Sequence, residues 1–409
     1  MQPTTLIQLI SEQTIQNLLP ILRLKPQKLV HLVTPRTAAR SAVLKAAAKA
    51  AGIDPESESI QLSDMPGIPE CFNVVTEALS KSKEGMQTVV NFTGGTKLMS
   101  IGAFAAAQTK KVPSLYVDTQ DACFVDGATS PEMSTLLSGD WSFTPIRNQL
   151  RVDVLGIANG VSRITSGESW QVMLPLAEHL FNHISDEEAT HAAVHGPTGL
   201  FPKGLEPRTP KDWLPILDKP IRLPAPVAML AVEADLVRPG PSDSEVLLPN
   251  STRAELDHLV NHQVPDFAAR YFKAVAPIQQ AAAFLTGAWW EVIVSDAAQK
   301  SSLFRDLRWS AQVGERNGPD TEEDILGVDG VELLYINCKR GGAKARLLPL
   351  LEEVRARAAT MGGSFNRRFL AVLQPPHGKV AANLQQQAAK LGIRLITGDN
   401  VYQSGIFSR

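Results

Sequence analysis

The stretch Asn91–Met99, NFTGGTKLM, decides how the first third of the chain folds. The run Met86–Val90 before it indicates a buried strand, and Leu98–Gln108 after it is a run of small and apolar residues typical of a buried helix. A Gly-Gly turn between a strand and a helix lets backbone N–H groups approach a ligand closely. Because these groups lie at the positive end of the helix, the turn favours an anion such as a phosphate.

Strand and helix patterns alternate on both sides of this turn. This alternation predicts a parallel sheet with helices on both faces, in which ligands bind at the carboxyl ends of the strands. Three loops would meet there: Ser11–Thr14, Thr34–Thr37 and Phe92–Lys97. The predicted strands are Thr5–Ile10, Lys28–Thr34, Ser59–Leu62, Thr88–Phe92 and Ser114–Asp118, and the predicted helices are Ile15–Leu24, Ala38–Ala51, Cys71–Lys81 and Leu98–Gln108.

The composition excludes several classes of protein. Hydrophobic residues make up 44% of the chain and charged residues 20%, as in ordinary globular proteins, and the net charge of −2 gives no global basic field for nucleic acid. The cysteines Cys71, Cys123 and Cys338 form neither a disulfide framework nor a CxxC metal pair. The sequence lacks a signal-peptide pattern and an apolar run of about 20 residues that would span a bilayer. We therefore expect a cytoplasmic protein without a membrane partner.

The 409 residues are enough for two or three domains. We expect an α/β domain over residues 1–150, a less regular linker or insert over 151–270, and a second α/β domain over 271–409. The last region has the pattern αβββαβα, with a typical hairpin turn at Asp329-Gly330. The elements predicted beyond residue 150 are the helices Trp170–Ile184, Pro277–Ala298, Ala343–Thr360 and Ala381–Leu391 and the strands Asp306–Val313, Asp324–Val328, Val331–Cys338, Arg368–Leu373 and Ile393–Ile396.

Four residues of the last region form a candidate catalytic group. The hairpin brings Asp324 near Asn337 and Lys339, which share one face of the next strand, and Glu291 comes from the preceding helix. Oxygen ligands from Asp324, Asn337 and the main-chain carbonyl of Cys338 suit a hard cation such as Mn²⁺ or Mg²⁺. The cation and Lys339 would activate water and stabilise the charge that develops during phosphodiester hydrolysis. This is the layout of the PD-(D/E)XK nuclease core, with Asn337 where the pattern prefers an acidic residue.

Each of these features also has a plainer explanation. The Gly-Gly turn is compatible with a tight turn that binds nothing, and Arg36 with a solvated loop charge. Taken one at a time, Glu291, Asp324 and Lys339 are compatible with solvated surface charges. The order of the elements and the grouping of the residues favour the functional interpretation.

Stretches of both halves of the chain resemble CRISPR ancillary nucleases. The stretches LIQLISEQTIQNLLPILRLKP, HLVTPRT, NFTGGTKLMS and LYVDT resemble the CARF domain of nucleases that are activated by cyclic oligoadenylate. The stretches GAWWEVIV, EEDILGVDGVELLYINCK and MGGSF resemble the PD-(D/E)XK nuclease of these proteins. More narrowly, about residues 4–119 and 286–396 resemble CARF–restriction-endonuclease fusions whose activator is cyclic tetra-adenylate.

The resemblance implies a fold, a partner and a set of binding residues. The fold is α/β, with an N-terminal Rossmann-like CARF domain and a C-terminal restriction-endonuclease-like αβββαβ domain. The protein would be a homodimer that binds the cyclic tetra-adenylate ring across its paired CARF domains. The implied activator-binding residues are Ser11, Glu12 and Gln13 in the first loop, Thr34, Pro35, Arg36 and Thr37 in the second, and Asn91, Thr93, Gly94, Gly95, Thr96, Lys97 and Met99 in the third.

The leading hypothesis is a cyclic-oligoadenylate-activated, metal-dependent endonuclease of type III CRISPR antiviral defence, which hydrolyses DNA, RNA or both. Its catalytic residues would be Glu291, Asp324, Asn337 and Lys339. One alternative is a CARF sensor whose nuclease-like domain is weak or inactive because of Asn337, and which binds nucleic acid or a partner. The other is a ring nuclease that degrades its own activator.

Overall fold

Two six-stranded sheets and one three-stranded sheet organise the part of the chain that the structure describes. The structure is a computed structural model, and it describes residues 4–82, 86–127, 131–165, 169–201, 207–314, 320–341 and 344–408. Within these ranges, no helix combines the length and the apolar character needed to cross a bilayer. The α/β class predicted from the sequence is confirmed.

Residues 4–126 form the first sheet and its helices. Along the chain the elements are β1 (Thr4–Leu9), α1 (Ile15–Leu24), β2 (Lys28–Val33), α2 (Ala38–Ala50), β3 (Glu56–Gln61), α3 (Ile68–Ser80), β4 (Gln87–Asn91), α4 (Lys97–Lys110), β5 (Ser114–Asp118) and β6 (Cys123–Asp126). The order of the strands across the sheet is β3-β2-β1-β4-β5-β6. The first five strands are parallel, as predicted, and β6 pairs antiparallel to β5. Strand β6 is not predicted from the sequence, because such a short strand with polar flanks shows little alternation.

Helices cover both faces of this sheet. The buried side chains of α1 and α2 pack on one face, and those of α3 and α4 pack on the other. A Cβ atom added at Gly102 of α4 would lie only 2.6 Å from the backbone oxygen of Ile68 in α3. The small residues of α4 therefore allow the close packing of α3 against α4.

Residues 131–283 are mostly helical. The elements are α5 (Pro131–Leu136), α6 (Val152–Ala158), β7 (Arg163–Thr165), α7 (Leu174–Asn182), α8 (Ile184–His195), α9 (Pro210–Leu217), β8 (Ile221–Arg222), α10 (Ala225–Glu233), β9 (Arg238–Pro239), β10 (Glu245–Leu247), α11 (Arg253–Asn261) and α12 (Phe267–Ala283). Short 3-10 turns occupy Thr144–Gln149 and Trp170–Met173, and β8, β10 and β9 form the small sheet. The single predicted helix Trp170–Ile184 is wrong: His183 has φ −127° and ψ 79°, which separates α7 from α8.

The second sheet has the order β15-β14-β13-β12-β11-β7. Its elements after α12 are α13 (Trp289–Lys300), β11 (Arg305–Gly314), β12 (Thr321–Asp329), β13 (Glu332–Lys339), α14 (Lys344–Gly362), β14 (Asn366–Val372), α15 (Lys379–Lys390) and β15 (Ile393–Thr397). Strands β11, β12 and β13 are antiparallel and β13, β14 and β15 are parallel, which confirms the predicted αβββαβ order.

Two details of the second sheet differ from the sequence-based predictions. Strand β7 pairs with β11, so residues 163–165 of the region interpreted as a linker lie at the edge of this sheet. The predicted helix Pro277–Ala298 is interrupted, because a π-helical turn at Phe284–Ala288 separates α12 from α13 and Gly287 within it has an extended φ of 167°. The predicted domain bounds as a whole remain a prediction.

Candidate functional site

The Gly-Gly turn lies at the carboxyl end of β4 and begins α4. A Cβ atom added at Gly94 would lie 2.1 Å from the backbone oxygen of Leu9, and Gly95 has φ +78°, a conformation that L side chains rarely adopt. Thr96 is the N-cap of α4, and its hydroxyl accepts a hydrogen bond of 3.4 Å from Met99 N. The side chains of Thr96 and Lys97 are exposed, so both are available to a ligand in front of the helix N-terminus.

The buried amide side chains of Asn17 and Asn91 hold the first and third loops in place through hydrogen bonds. Asn17 donates a 2.7 Å hydrogen bond to Leu9 O and accepts one of 3.0 Å from Ser11 N. Asn91 Oδ1 accepts hydrogen bonds from Thr93 N at 3.1 Å and from Thr93 Oγ1 at 2.7 Å. Both amides also donate to Gln8 Oε1, which links the two loops through one side chain of β1.

The second loop is braced internally and paired with the first. Thr37 Oγ1 accepts a hydrogen bond of 3.0 Å from Thr34 N, and both threonines are buried. Arg36 is exposed and lies 2.6 Å from Glu12 Oε1 of the first loop. Because exposed ion pairs contribute only about 0–1 kcal/mol, a phosphate group can replace Glu12 as the partner of Arg36.

The structure brings the three predicted loops together at the carboxyl ends of β1, β2 and β4. The predicted binding residues divide by exposure into three sets. Those that are exposed are Glu12, Gln13, Pro35, Arg36, Gly95, Thr96 and Lys97, those that are half-buried are Ser11 and Thr93, and those that are buried are Thr34, Thr37, Asn91, Gly94 and Met99. The buried set shapes the loops from within instead of presenting side chains to solvent.

The second candidate site lies where α13 faces β12 and β13. Glu291 is in the first turn of α13, and its Oε2 accepts a hydrogen bond of 2.9 Å from Trp309 Nε1 of β11. Burial, and then the nearby charge of Asp324, raise the pKa of Glu291 to about 8. Two carboxyl groups therefore share one poorly solvated space, which disfavours a negative charge on both.

Asp324 is held by the strand beside it. Its Oδ2 accepts a hydrogen bond of 2.6 Å from Cys338 N and lies 3.9 Å from Lys339 Nζ. Burial raises the pKa of Asp324, and the charge of Lys339 opposes this effect. The register that pairs Ile325 with Ile336 places Asn337 next to Asp324 when continued by one residue. The predicted grouping of carboxylate, amide and lysine is therefore present in the fold.

The donor atoms at this site fit a hard divalent cation. Asn337 Oδ1 is buried and, among the described residues, has no hydrogen-bond partner. A cation would give this oxygen a partner and would offset the charges of Glu291 and Asp324. The described residues contain no group of three or more His, Cys, Asp and Glu side chains arranged to hold a metal, so the amide and a main-chain carbonyl would have to complete the ligands.

Cys338 contacts Asp324 through its backbone N–H, and its thiol is buried. Its side chain is 5% exposed and belongs to the hydrophobic cluster formed with α13, and burial raises the pKa of the thiol well above its usual value. A neutral, buried thiol is a poor nucleophile and a poor metal ligand.

Comparison with known families identifies the first domain. Residues 5–135 match the family model of the Card1 CARF domain. The N-terminal domain is a CARF domain. The resemblance noted in the sequence is thus confirmed over these residues, and the three loops described above are loops of that domain. The search of curated proteins returned no match to the chain.

Solved structures resemble the whole chain. Can2 from Sulfobacillus thermosulfidooxidans, in complex with cyclic tetra-adenylate, is 15% identical with a TM-score of 0.65, covering 98% of this chain and 97% of Can2. Protein VC1899 from Vibrio cholerae is 14% identical with a TM-score of 0.68, covering 98% of this chain and 95% of VC1899. A type III CRISPR defence DNA nuclease activated by cyclic oligoadenylate is 16% identical with a TM-score of 0.50, covering 93% of this chain and 47% of that protein. At such identities the likeness establishes the fold.

Sequence reasoning missed the groups that support both sites. Gln8 and His31 interrupt otherwise apolar strands, and a polar residue inside a buried run is a signal that could have pointed to the network beneath the loops. Trp309 gave no such signal, because its bond to Glu291 joins residues of different elements.

The raised pKa of Glu291 predicts a pH-dependent stability in the protein free of divalent cations. The unfolded carboxyl group ionises near its ordinary pKa, whereas the folded one does so at about 8. The stabilising effect of the neutral carboxyl is therefore complete at low pH and is lost as pH rises through this window. Glu291→Gln should raise the Tm at pH 8 relative to the parent and flatten its decline from pH 5 to pH 8, measured by calorimetry. The exposed Glu233→Gln serves as a control, and equal slopes for all three proteins would contradict the prediction.

Proposed function

We propose that the chain is a cyclic-oligoadenylate-activated, metal-dependent nuclease of type III CRISPR defence, acting in the cytoplasm as a homodimer. The observation that carries the proposal is the position of Lys339 Nζ, 3.9 Å from Asp324 Oδ2 and near the half-buried Glu291, in a chain that also contains a CARF domain. Can2 in its complex with cyclic tetra-adenylate supports the choice of activator, and the CRISPR DNA nuclease activated by cyclic oligoadenylate supports the pairing of sensor and enzyme.

The loops of the CARF domain suit the phosphates of cyclic tetra-adenylate. Backbone N–H groups at the start of α4, the hydroxyl of Thr96 and the ammonium group of Lys97 are all donors to an anion. Arg36 adds a guanidinium group once Glu12 is displaced. These donors lie at one edge of the sheet, where one ring-shaped anion can contact all three loops.

Exposed apolar side chains beside this edge support the homodimer. Leu98 and Ile101, neighbours on the first two turns of α4, are 52% and 51% exposed. Apolar side chains grouped on a surface are typical of protein interfaces. A second copy that covers α4 would place two sets of activator loops next to each other.

The residues of the second site have separate tasks in phosphodiester hydrolysis. When bound, Mn²⁺ or Mg²⁺ would supply a Lewis acid for a phosphoryl oxygen and for a water molecule. Asp324, the amide oxygen of Asn337 and the carbonyl of Cys338 would hold the cation. Lys339 places its positive charge where negative charge develops on the phosphate, and Trp309 fixes the orientation of Glu291 as a proton carrier.

A contact between the two domains supports gating by the activator. Asn159, directly after α6, accepts a hydrogen bond of 3.4 Å at Oδ1 from Thr14 in the first loop and one of 3.3 Å at its backbone oxygen from Arg40 in α2. Its Nδ2 donates a hydrogen bond of 3.1 Å to Met361 O at the end of α14. A rearrangement of the activator loops would therefore reach α14, provided that the activator binds one arrangement more tightly than the other.

Asn337 favours a second candidate function. A neutral amide in place of a carboxylate weakens the attraction for a divalent cation. In this case the protein would sense the activator and bind nucleic acid or a partner without cutting. Tight activator binding with no cleavage under any metal ion would establish this alternative.

Cleavage assays test the proposal. Plasmid DNA and RNA are incubated with Mn²⁺, with and without cyclic tetra-adenylate, and the initial rates are measured. Cleavage should depend on both additions. Lys339→Ala should lower the activated rate about 100-fold or more and leave activator affinity unchanged, because it removes a charge that acts on the transition state. The exposed Lys379→Ala on α15 should cut normally. Equal rates for Lys339→Ala and Lys379→Ala would remove Lys339 from the mechanism.

Activator binding tests the loop assignment. The double change Thr96→Ala with Lys97→Ala should weaken cyclic tetra-adenylate binding about tenfold or more, because two donors to phosphate are lost. The matched control is Thr109→Ala with Lys110→Ala at the other end of α4, where both residues are exposed. Calorimetric titration measures the affinity of both double variants for cyclic tetra-adenylate. Loss of the Thr96 cap alone lowers stability by about 1 kcal/mol, so the Tm of each variant is recorded. Equal affinities would place the activator elsewhere.

Asn159→Ala tests the coupling between the domains. We expect normal activator affinity but an activated cleavage rate about fivefold or more below that of the parent, because the hydrogen bonds from the first loop and to α14 are both lost. The control is Asn261→Ala on α11, whose side chain donates a hydrogen bond to the backbone oxygen of Asp257 in its own helix. A full activation ratio in Asn159→Ala would exclude this route.

A further inference from the structure

A buried ion pair joins the helical middle region to the end of β13. Glu187 on α8 is fully buried, and its Oε1 lies 2.5 Å from Arg340 Nε. In addition to this ionic contact, Arg340 Nη2 donates a hydrogen bond of 2.7 Å to Glu187 Oε2. These two contacts fix the orientation of the guanidinium plane as well as its distance from the carboxylate of Glu187. A buried carboxylate costs several kcal/mol to desolvate, so Glu187 depends on Arg340 as its partner.

Arg340 directly follows Lys339, and neighbouring segments contact it on several sides. The backbone oxygens of Lys339 and Arg340 each accept a hydrogen bond of 3.0 Å, from Leu373 N and Gln374 N respectively. A Cβ atom added at Gly287 would lie 3.7 Å from Arg340 Cβ, so the backbone just ahead of α13 lies against the aliphatic part of this arginine. Arg340 therefore contacts α8, the segment that leads to Glu291, and the strand end that carries Lys339.

The two neighbouring cations at this strand end act on different groups. The charge of Lys339 lowers the pKa of both Glu291 and Asp324, whereas burial and then the charge of Arg340 lower the pKa of His191 on α8. Lys339 is the last residue of β13, and its Nζ lies 3.9 Å from Asp324 Oδ2, whereas the guanidinium group of the next residue, Arg340, is held against Glu187 of α8.

We propose that Glu187 is a positioning residue: by fixing Arg340 toward α8, it sets the end of β13 so that Lys339 and the oxygens of Asn337 and Cys338 face Asp324. The inference builds on the proposed nuclease function and assigns a task to the middle region, which supplies Glu187. An apolar contact of the same size would fill the space but would leave the side chain at position 340 free to rotate.

The test uses a matched set of variants of the full chain. Glu187→Gln removes the negative charge and leaves the half-buried Arg340 without its ionic partner, which can lower stability by itself. The double variant Glu187→Met with Arg340→Met replaces the pair by apolar side chains of similar length and should keep the Tm near that of the parent. Glu188→Gln, the exposed neighbour on α8, is the control. Mn²⁺ affinity is measured by calorimetry, kcat and KM by cleavage with cyclic tetra-adenylate, and folding by Tm.

Positioning and simple stabilisation predict different results for the double variant. If Glu187 positions the strand end, the double variant folds normally but binds Mn²⁺ about tenfold more weakly, and its kcat falls about tenfold or more at unchanged KM. If the pair only stabilises the fold, recovery of the Tm restores both quantities to the values of the parent, and the proposal is wrong. Mn²⁺ affinity decides the question even if the parent cuts nothing, an outcome that would count against the proposed function alone.

Discussion

The structure depends on the burial of the short helix α6 between the two halves of the chain. Val152, Val154 and Leu155 belong to a hydrophobic cluster that extends from α1 and α2 of the CARF domain to β11–β13 and α14 of the second sheet. The start of α6 is held by the second sheet, because Val152 N donates a hydrogen bond of 2.7 Å to Asp306 Oδ2. On the other side, Arg151 donates a hydrogen bond of 2.8 Å to the backbone oxygen of Ala50, the last residue of α2. The two domains thus share one core at this point.

A shared core would give the proposed sensor and the proposed nuclease a mechanical connection. Helix α2 begins directly after the second loop, and α14 begins shortly after Lys339, so α6 contacts one element from each candidate site. Close-packed cores transmit small displacements, because few voids absorb them. Asn159 adds hydrogen bonds from the first loop and to α14 at the same place. A signal from the CARF loops therefore has a short path to the nuclease-like sheet.

The secondary structure near both sites was predictable because the local sequence dictates it. The Gly-Gly turn, the N-cap threonine and the run of small residues specify β4, the turn and α4 within a few residues. The hairpin at Asp329-Gly330 likewise fixes β12 and β13, and with them the neighbourhood of Asp324 and Asn337. Predictions failed where the backbone departs from its pattern without a local signal, as at His183 and at the π-helical turn before α13.

The sequence by itself determined the order of most elements that carry the two candidate sites, the three loops at one sheet edge and the grouping of Glu291, Asp324, Asn337 and Lys339. These follow from periodicity, turn chemistry and the register of neighbouring strands, which act over a few residues. Only the tertiary structure decided which loop residues are exposed, that Trp309 bonds to Glu291 and that Glu187 pairs with Arg340, 153 positions away. Burial and charge pairing of this kind depend on atoms that are distant in sequence, and folding alone brings them within hydrogen-bond distance.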